Sequence, residues 1–193
     1  MAYTTVDKST LKQNTKLYTG NDSAGHAITG VGFAPDWTWI KNRGNAAHHV
    51  VFDRVRGATK ALYTNQQDAE TTVSGHVTAF GSDGFTLGDN SGKGSTNGNG
   101  ETYAAWNWKA AGTTGSSNSD ATGSYPITST VSVDQAAGFS IVKYTGNGYS
   151  TATIGHGLGA KPNWVILKPL SYSGAWWIIH KDLGTNKVLE FTT

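Results

Sequence analysis

Apolar and polar residues alternate in short runs along this chain, and Gly, Pro, Asn and Asp separate the runs. A period of two is what a strand produces, because successive side chains point to opposite faces. The turn signals "TGND", "FAPD", "NRGN", "VRGA" and "GSDG" divide the first half into strands predicted near 15–20, 26–31, 36–41, 48–55, 60–64, 75–80, 84–88 and 101–109. Eight short strands in about 95 residues is the spacing of a β-sandwich. In "DWTWI" the alternation puts Trp37 and Trp39 on one face, and in "AAWNW" it does the same for Trp106 and Trp108. All four are expected in the sandwich core, where burying each stabilises by roughly 2–3 kcal/mol. A platform on which sugar rings stack is the alternative.

The pattern is written twice. "KLYTGNDSAGHAITGVGFAPDWTWIKNR" (16–43) returns as "KYTGNGYSTATIGHGLGAKPNWVILKPL" (143–170). Tyr18-Thr19-Gly20-Asn21 falls on Tyr144-Thr145-Gly146-Asn147, and Ile28 on Ile154, at an offset of 126. One inserted residue makes it 127, and Pro35 then matches Pro162, Trp37 matches Trp164, Lys41 matches Lys168, Gly57 matches Gly184 and Leu62 matches Leu189. Matches at turn and core positions over such a length indicate a real duplication. The first copy continues through "FGSDGFTLGDN" to "ETYAAWNWKA", whereas the second reaches only "VLEFTT". The reading is therefore an all-β tandem β-sandwich: a lead segment (1–14), a first unit (15–110), a Ser/Gly-rich linker (111–126) and an incomplete second unit (127–193). The chain is expected to be a fragment of a longer one; completion by another chain and a surviving half-sandwich are the alternatives. The two copies are expected to superpose over 16–65 and 142–192, with Trp37 and Trp164 equivalently buried.

Composition narrows the function. In 193 residues, 25 are Gly and 37% are hydrophobic, so the core must be economical. Fifteen basic residues against thirteen acidic give a net charge of +2 with no run of like charges, which excludes a nucleic-acid footprint. There is no Cys, hence no disulfide or thiolate site, as suits a protein made in a reducing cytosol. The opening "MAYTTVDKSTLKQNTK" has no apolar run of signal-peptide length, and no segment approaches the roughly 20 apolar residues of a membrane helix, so no membrane insertion is expected.

The successive stretches "AYTTVDKSTLKQNTKLYTGN", "ITGVGFAPDWTWIKNR", "HHVVFDRVRGATKALYTN", "FGSDGFTLG" and "YAAWNWKA" resemble a repeated β-rich domain of tail-fibre and other virion structural proteins of bacteriophages, marine phages especially. The second copy, with "YTGNG", "IGHGLGAKPNWVILK" and "WWIIH", is similar to a more widespread form of that repeat. The resemblance implies an exposed virion protein, a β-sandwich of the lectin-like or jelly-roll type, whose strung modules gain avidity. It brings no catalytic residues.

Candidate chemistry is sparse. Arg43, Arg54 and Arg56 cluster with His48, His49 and Asp53, a possible patch for an anionic sugar or a neighbouring subunit because guanidinium groups fork onto carboxylates. The alternative is a solvated strand edge with an internal Arg–Asp pair. His48 and His49, being adjacent, are expected on opposite faces of a strand, so no metal site or cofactor is expected. The loop "GDNSGKGSTNGNGE" offers Asp89, Asn90, Asn97, Asn99 and Glu101 as oxygen ligands for calcium but lacks the alternating acids of a calcium loop, and reads as a mobile Gly-rich hairpin loop. If a ligand binds, it is expected on loops at one end of the first sandwich, using His48, His49, Arg54, Arg56, Asp89, Asn97 and Asn99. Glycoside hydrolysis needs two facing carboxylates, and none of the acids forms such a motif. The expectation is a non-enzymatic virion module for structure and host attachment, forming a homo-oligomer, a trimer by preference, alongside other virion proteins and host surface polysaccharide. A purely architectural subunit is the alternative, and a polysaccharide depolymerase a lesser one.

Overall fold

The computed structural model describes residues 8–111, 115–119, 121–184 and 186–191. Parts of the lead segment and of the predicted linker thus lie outside the described residues. The chain is all-β, and among the described residues the one helical turn is the 3-10 segment Ser9–Leu11.

Nine strands build the first unit: β1 (Gln13–Thr19), β2 (His26–Thr29), β3 (Trp37–Asn42), β4 (Val50–Asp53), β5 (Gly57–Tyr63), β6 (Thr71–Thr72), β7 (Val77–Phe80), β8 (Gly84–Leu87) and β9 (Thr102–Trp108). They form two antiparallel sheets, ordered β1-β9-β3-β4-β5-β6 and β2-β8-β7. The strand β9, late in sequence, is the central member that joins β1 to β3. Between the sheets lie Ile28, Ile40, Val50, Phe52, Tyr63, Val77, Phe85, Leu87 and Tyr103. The backbones of β2 and β8 approach so closely that a Cβ at Gly84 would stand 1.9 Å from the Ile28 carbonyl oxygen, so only Gly fits.

The four tryptophans are not in that core. β3 alternates with Thr38, Ile40 and Asn42 inward, and β9 with Tyr103, Ala105 and Asn107 inward. Thr38 Oγ1 donates to Asn107 Oδ1 at 2.9 Å, which pays the desolvation of both buried polar groups. Trp37 therefore faces outward opposite Trp108, and Trp39 opposite Trp106, all four half-buried. Residues of the second half of the chain lie against them: Phe139 stacks on Trp108 at 6.4 Å, and Phe191 tilts against Trp39 at 6.3 Å.

The second half contains β10 (Ser116–Asn118), β11 (Pro126–Ile127), β12 (Ser129–Asp134), β13 (Phe139–Tyr144), β14 (Thr153–Ile154), β15 (Trp164–Leu167), β16 (Trp177–His180) and β17 (Leu189–Glu190). Of these, β10 lies in the stretch predicted as linker and β11 straddles its end. The sheets are β10-β12-β13, the parallel pair β11-β14, and β15-β16-β17. The last of these copies β3-β4-β5 pair for pair. Trp37↔Asp53, Thr38↔Phe52, Trp39↔Val51 and Ile40↔Val50 become Trp164↔His180, Val165↔Ile179, Ile166↔Ile178 and Leu167↔Trp177. Val50↔Tyr63 and Val51↔Leu62 become Trp177↔Glu190 and Ile178↔Leu189. The bonds from Arg54 N to Asp36 O and from Thr64 N to His49 O recur as Lys181 N to Asn163 O and Phe191 N to Trp176 O. Even the lysine that ties down the following loop repeats: Lys41 Nζ reaches the carbonyls of Asn42 and Ala47, and Lys168 Nζ those of Pro169 and Gly174.

The copy is faithful in register and different in cover. Trp164 is 61% exposed, so the expectation that Trp37 and Trp164 share a buried environment fails. The physical reason is that, among the described residues, no strand pairs with β15 on the side where β9 holds β3, and no second sheet lies where β2-β8-β7 covers the first copy. Accordingly β13, the counterpart of β1, pairs with β12 in a sheet separate from β15.

Candidate functional site

Strand β4 separates the residues expected to act together. His48 and His49 precede it and Arg54 and Arg56 follow it, so the two groups sit at opposite ends of a strand spanning, with its flanks, about 15 Å. The expectation of a single polar patch at one end is corrected on that ground.

At the arginine end the positive charge is spent internally. The Arg56 guanidinium and backbone N–H both bond Asp53, and the guanidinium also donates to Glu70 at 3.2 Å and to the Lys60 carbonyl at 3.0 Å. This cluster is buried, not a solvated edge: the Arg56 and Asp53 side chains are 5% and 2% exposed. Arg54 donates to the Pro35 and Gly81 carbonyls, lies 3.8 Å from Asp36 and covers the Phe80 ring. Asp36 itself accepts from Ala110 N and Ser132 Oγ, tying the first unit to the β12 sheet. These groups hold the fold.

The other end gathers the histidines and the 88–101 loop. His48 and His49 lie in the loop before β4, not in a strand, which corrects their expected opposed faces. His48 packs 5.3 Å from the Tyr63 ring and meets Asn65 at 3.2 Å. Burial, followed by the charge of Lys41, holds His49 below its ordinary value. The loop is built on side chains rather than being a free tip. Asn90 Oδ1 accepts the N–H groups of Thr96 and Asn97. Asn97, fully buried, donates to Gly88 O and Ser23 O, accepts from Asn21 N, and meets His26 Nδ1 at 2.8 Å. Glu101 accepts from Tyr103, Ser95, Asn42 and Asn45, and the Tyr103 bond leads the causes that hold its carboxyl below the usual range. Asp89 is likewise lowered by Ser91 donors, and Asn99 is exposed at the tip. Asn90 and Glu101, which the sequence offers only as cation ligands, act instead as organisers of the loop. Their signal was the recurrence of Asn and acidic residues among the glycines.

A shallow groove of about 310 Å³ runs beside this loop, lined by Tyr63, Thr71, Val73, Ser91 and Lys93. Lys93 pairs with Asp68 and lies 5.1 Å from the Tyr63 ring. Among the described residues no three His, Asp or Glu side chains gather as a metal site.

The larger uncovered features are apolar and lie in the second half. Leu11 and Leu17 are the exposed large hydrophobics of the first unit, whereas Trp164, Ile166, Trp177, Ile179 and Leu189 of β15-β16-β17 are all between 41% and 61% exposed. Farther along, Tyr125 and Tyr149 stack at 3.9 Å and 8°, both open to solvent.

A family model described as "Domain of unknown function (DUF7483)" matches residues 8–193. No curated protein and no solved structure matches the chain.

Proposed function

We propose that this chain, which belongs to that family of unknown function, is a non-enzymatic structural module of a phage particle, joined to other virion subunits and to copies of itself and exposed on the virion. The observation that carries the assembly role is the β15-β16-β17 sheet: a register-true copy of an enclosed element, with its apolar side chains open to water. Patches of this kind on a soluble protein are covered by partners. The phage setting is supported by the order of the motifs from "KLYTGN" to "YAAWNWKA". The non-enzymatic reading is supported by the acids that point inward, Asp36, Asp53 and Glu101, each engaged by structural donors. Light scattering at micromolar concentration tests the role: an oligomer is expected, and a stable monomer that joins no virion protein contradicts it.

A host-attachment role is favoured by a different observation from the one first expected. The stacked Tyr125–Tyr149 pair offers an exposed aromatic face of the kind sugar rings pack on, and Asn147, which donates to the Tyr125 carbonyl, stands beside it. Binding on a glycan array that disappears in Tyr149→Ala supports adhesion. Assembly without any saturable glycan binding leaves the architectural role alone.

A further inference from the structure

We infer that residues 92–94 form a strap that swings off His76 when its imidazole takes up a proton, so that mild acid opens one end of the first sandwich. The complete first unit supplies every residue of this device. His76 is 0% exposed, and the strap lies over its Cε1–Nε2 edge: a Cβ at Gly92 would come 3.8 Å from Nε2, and one at Gly94 3.0 Å from Cε1. Both glycines have left-handed backbone, with φ of 110° and 106°, which lets the chain lie close on the ring and gives the strap a permissive hinge at each end. Neither ring nitrogen has a partner among the described residues. A neutral imidazole withstands that at moderate cost. An imidazolium does not, because a buried charge without a counter-ion or hydrogen bonds is far more costly, so the proton is either refused or accompanied by water.

The groups around the ring give such a charge little to rest on. β4 presents Phe52 and Val50, and Val73 flanks Gly92. β5 presents Tyr63, whose hydroxyl donates to the Lys93 carbonyl at 2.7 Å. The strap's own cation, Lys93, pairs with Asp68. Asp89, at the start of the loop, is the carboxylate whose charge reaches the ring, and it is already engaged by Ser91 N and Oγ. Glu101 is likewise taken up by Ser95 and Tyr103. The strap is also lightly fastened. Asn90 and Ser95 anchor the loop on either side of it, but among the described residues 92–94 themselves are tied only by the Tyr63 hydroxyl and the exposed Lys93–Asp68 pair, which contributes little. Lifting the strap therefore breaks few bonds, and it joins the groove of about 310 Å³ beside Tyr63, Val73 and Lys93 to the imidazole and the Phe52 ring.

With the ordinary pKa of 6.5 when the strap is off and one of about 4 when it is on, the open population rises about 70-fold between pH 7.5 and 4.5. Thiol trapping in the full chain reads this directly, because the sequence contains no Cys. Val50→Cys places a single thiol at a site that is 0% exposed and under the strap, the Val50 Cγ2 being 3.2 Å from a Cβ at Gly94. Its reaction with dilute dithiodipyridine, a disulfide that reacts in acid as well as at neutral pH, is normalised to an unstructured thiol peptide at each pH and then follows the open population. The normalised rate should rise about 70-fold on going from pH 7.5 to 4.5, and less than about threefold once His76→Leu is added, since Asp89 and Glu101 remain in both proteins and cancel. Gly94→Ala, which forces a methyl against the ring at positive φ, should prop the strap and speed trapping at pH 7.5 by about tenfold or more, a second test that does not need His76→Leu to fold. Ala105→Cys, 0% exposed in the middle of β9, should stay unreactive at both pH values. Near-UV circular dichroism checks the fold of each variant, and Val73→Cys, on the other flank of Gly92, replaces Val50→Cys if the latter does not fold. No rise at the thiol under the strap, a rise that survives His76→Leu, or an unchanged rate in Gly94→Ala overturns the inference. So does equal trapping of Ala105→Cys, since the whole unit then unfolds and no strap has moved by itself.

Discussion

His76 is the most exacting place to challenge the energetics of the first sandwich. It is fully buried between Phe52, whose ring centroid is 6.3 Å away, and the 88–101 loop, and neither ring nitrogen has a partner among the described residues. The loop backbone sits directly over it: a Cβ placed at Gly94 would lie 3.0 Å from its Cε1. Burial pushes its pKa from the ordinary 6.5 to about 4, with the Asp89 carboxylate opposing the fall. Below pH 6.5 the unfolded chain binds a proton that the folded protein refuses until the pH nears 4. Stability is therefore lost as the pH falls through this window, by about 3 kcal/mol in all. His76→Leu fills the site without a titrating group. Urea unfolding of both proteins at pH 7.5 and 4.5 should show the parent losing about 2–3 kcal/mol more than the variant. His49, also lowered by burial, contributes in the same direction to both proteins and cancels in the comparison. The lowered carboxylates Asp83, Asp89 and Glu101 weaken the fold mainly below this range. Equal losses in parent and variant would falsify the buried, neutral His76 and with it the close packing of the loop.

Three further substitutions test separate parts of the account. Asn97→Ala removes the side chain that satisfies Gly88 O, Ser23 O and Asn21 N, and should cost about 2–4 kcal/mol in urea unfolding and speed proteolysis within 88–100; a loss below about 0.5 kcal/mol contradicts the ordered loop. Arg56→Met strands the buried Asp53 and should cost about 3–5 kcal/mol at pH 7, with part of the loss recovered by also changing Asp53→Asn; equal loss in the single and double variants contradicts the ion pair. Gly84→Ala forces a methyl into the Ile28 carbonyl and should abolish the cooperative transition of the first sandwich or lower its midpoint by at least about 10 °C, as followed by near-UV circular dichroism.

How far the sequence could carry the reading depended on which physical signal each feature used. The eight predicted strands all appear, within a few residues, because period-two alternation and Gly or Asp turns are local signals. The duplication was equally plain, since Pro162, Trp164 and Lys168 repeat their counterparts in order. Alternation says which residues share a face but not which face is inside. Trp37, Trp39, Trp106 and Trp108 outrank Thr38, Asn42 and Asn107 in hydrophobicity, yet the polar set faces the sheet partner because its members bond to one another, to Glu101 and to the backbone. The cover for the tryptophans, Phe139 and Phe191, lies in the other half of the chain, where local reading cannot reach. The histidine–arginine patch failed for a geometric reason: closeness in sequence across β4 places its members at opposite ends. The loop misled by its glycines, because its order comes from the Asn90, Asn97 and Glu101 side chains standing in for backbone partners.

Amide hydrogen exchange in β15 against β3, read residue by residue, tests the central claim most directly. In β3, held by β9 and β4, amides 37–40 should exchange slowly throughout. In β15 of the unassembled chain only the amides turned toward β16 should be slow, and those on the open edge should exchange within seconds, becoming protected on assembly. Uniform protection across 164–167, as strong as that of 37–40, in a chain that light scattering shows to be monomeric would contradict the account.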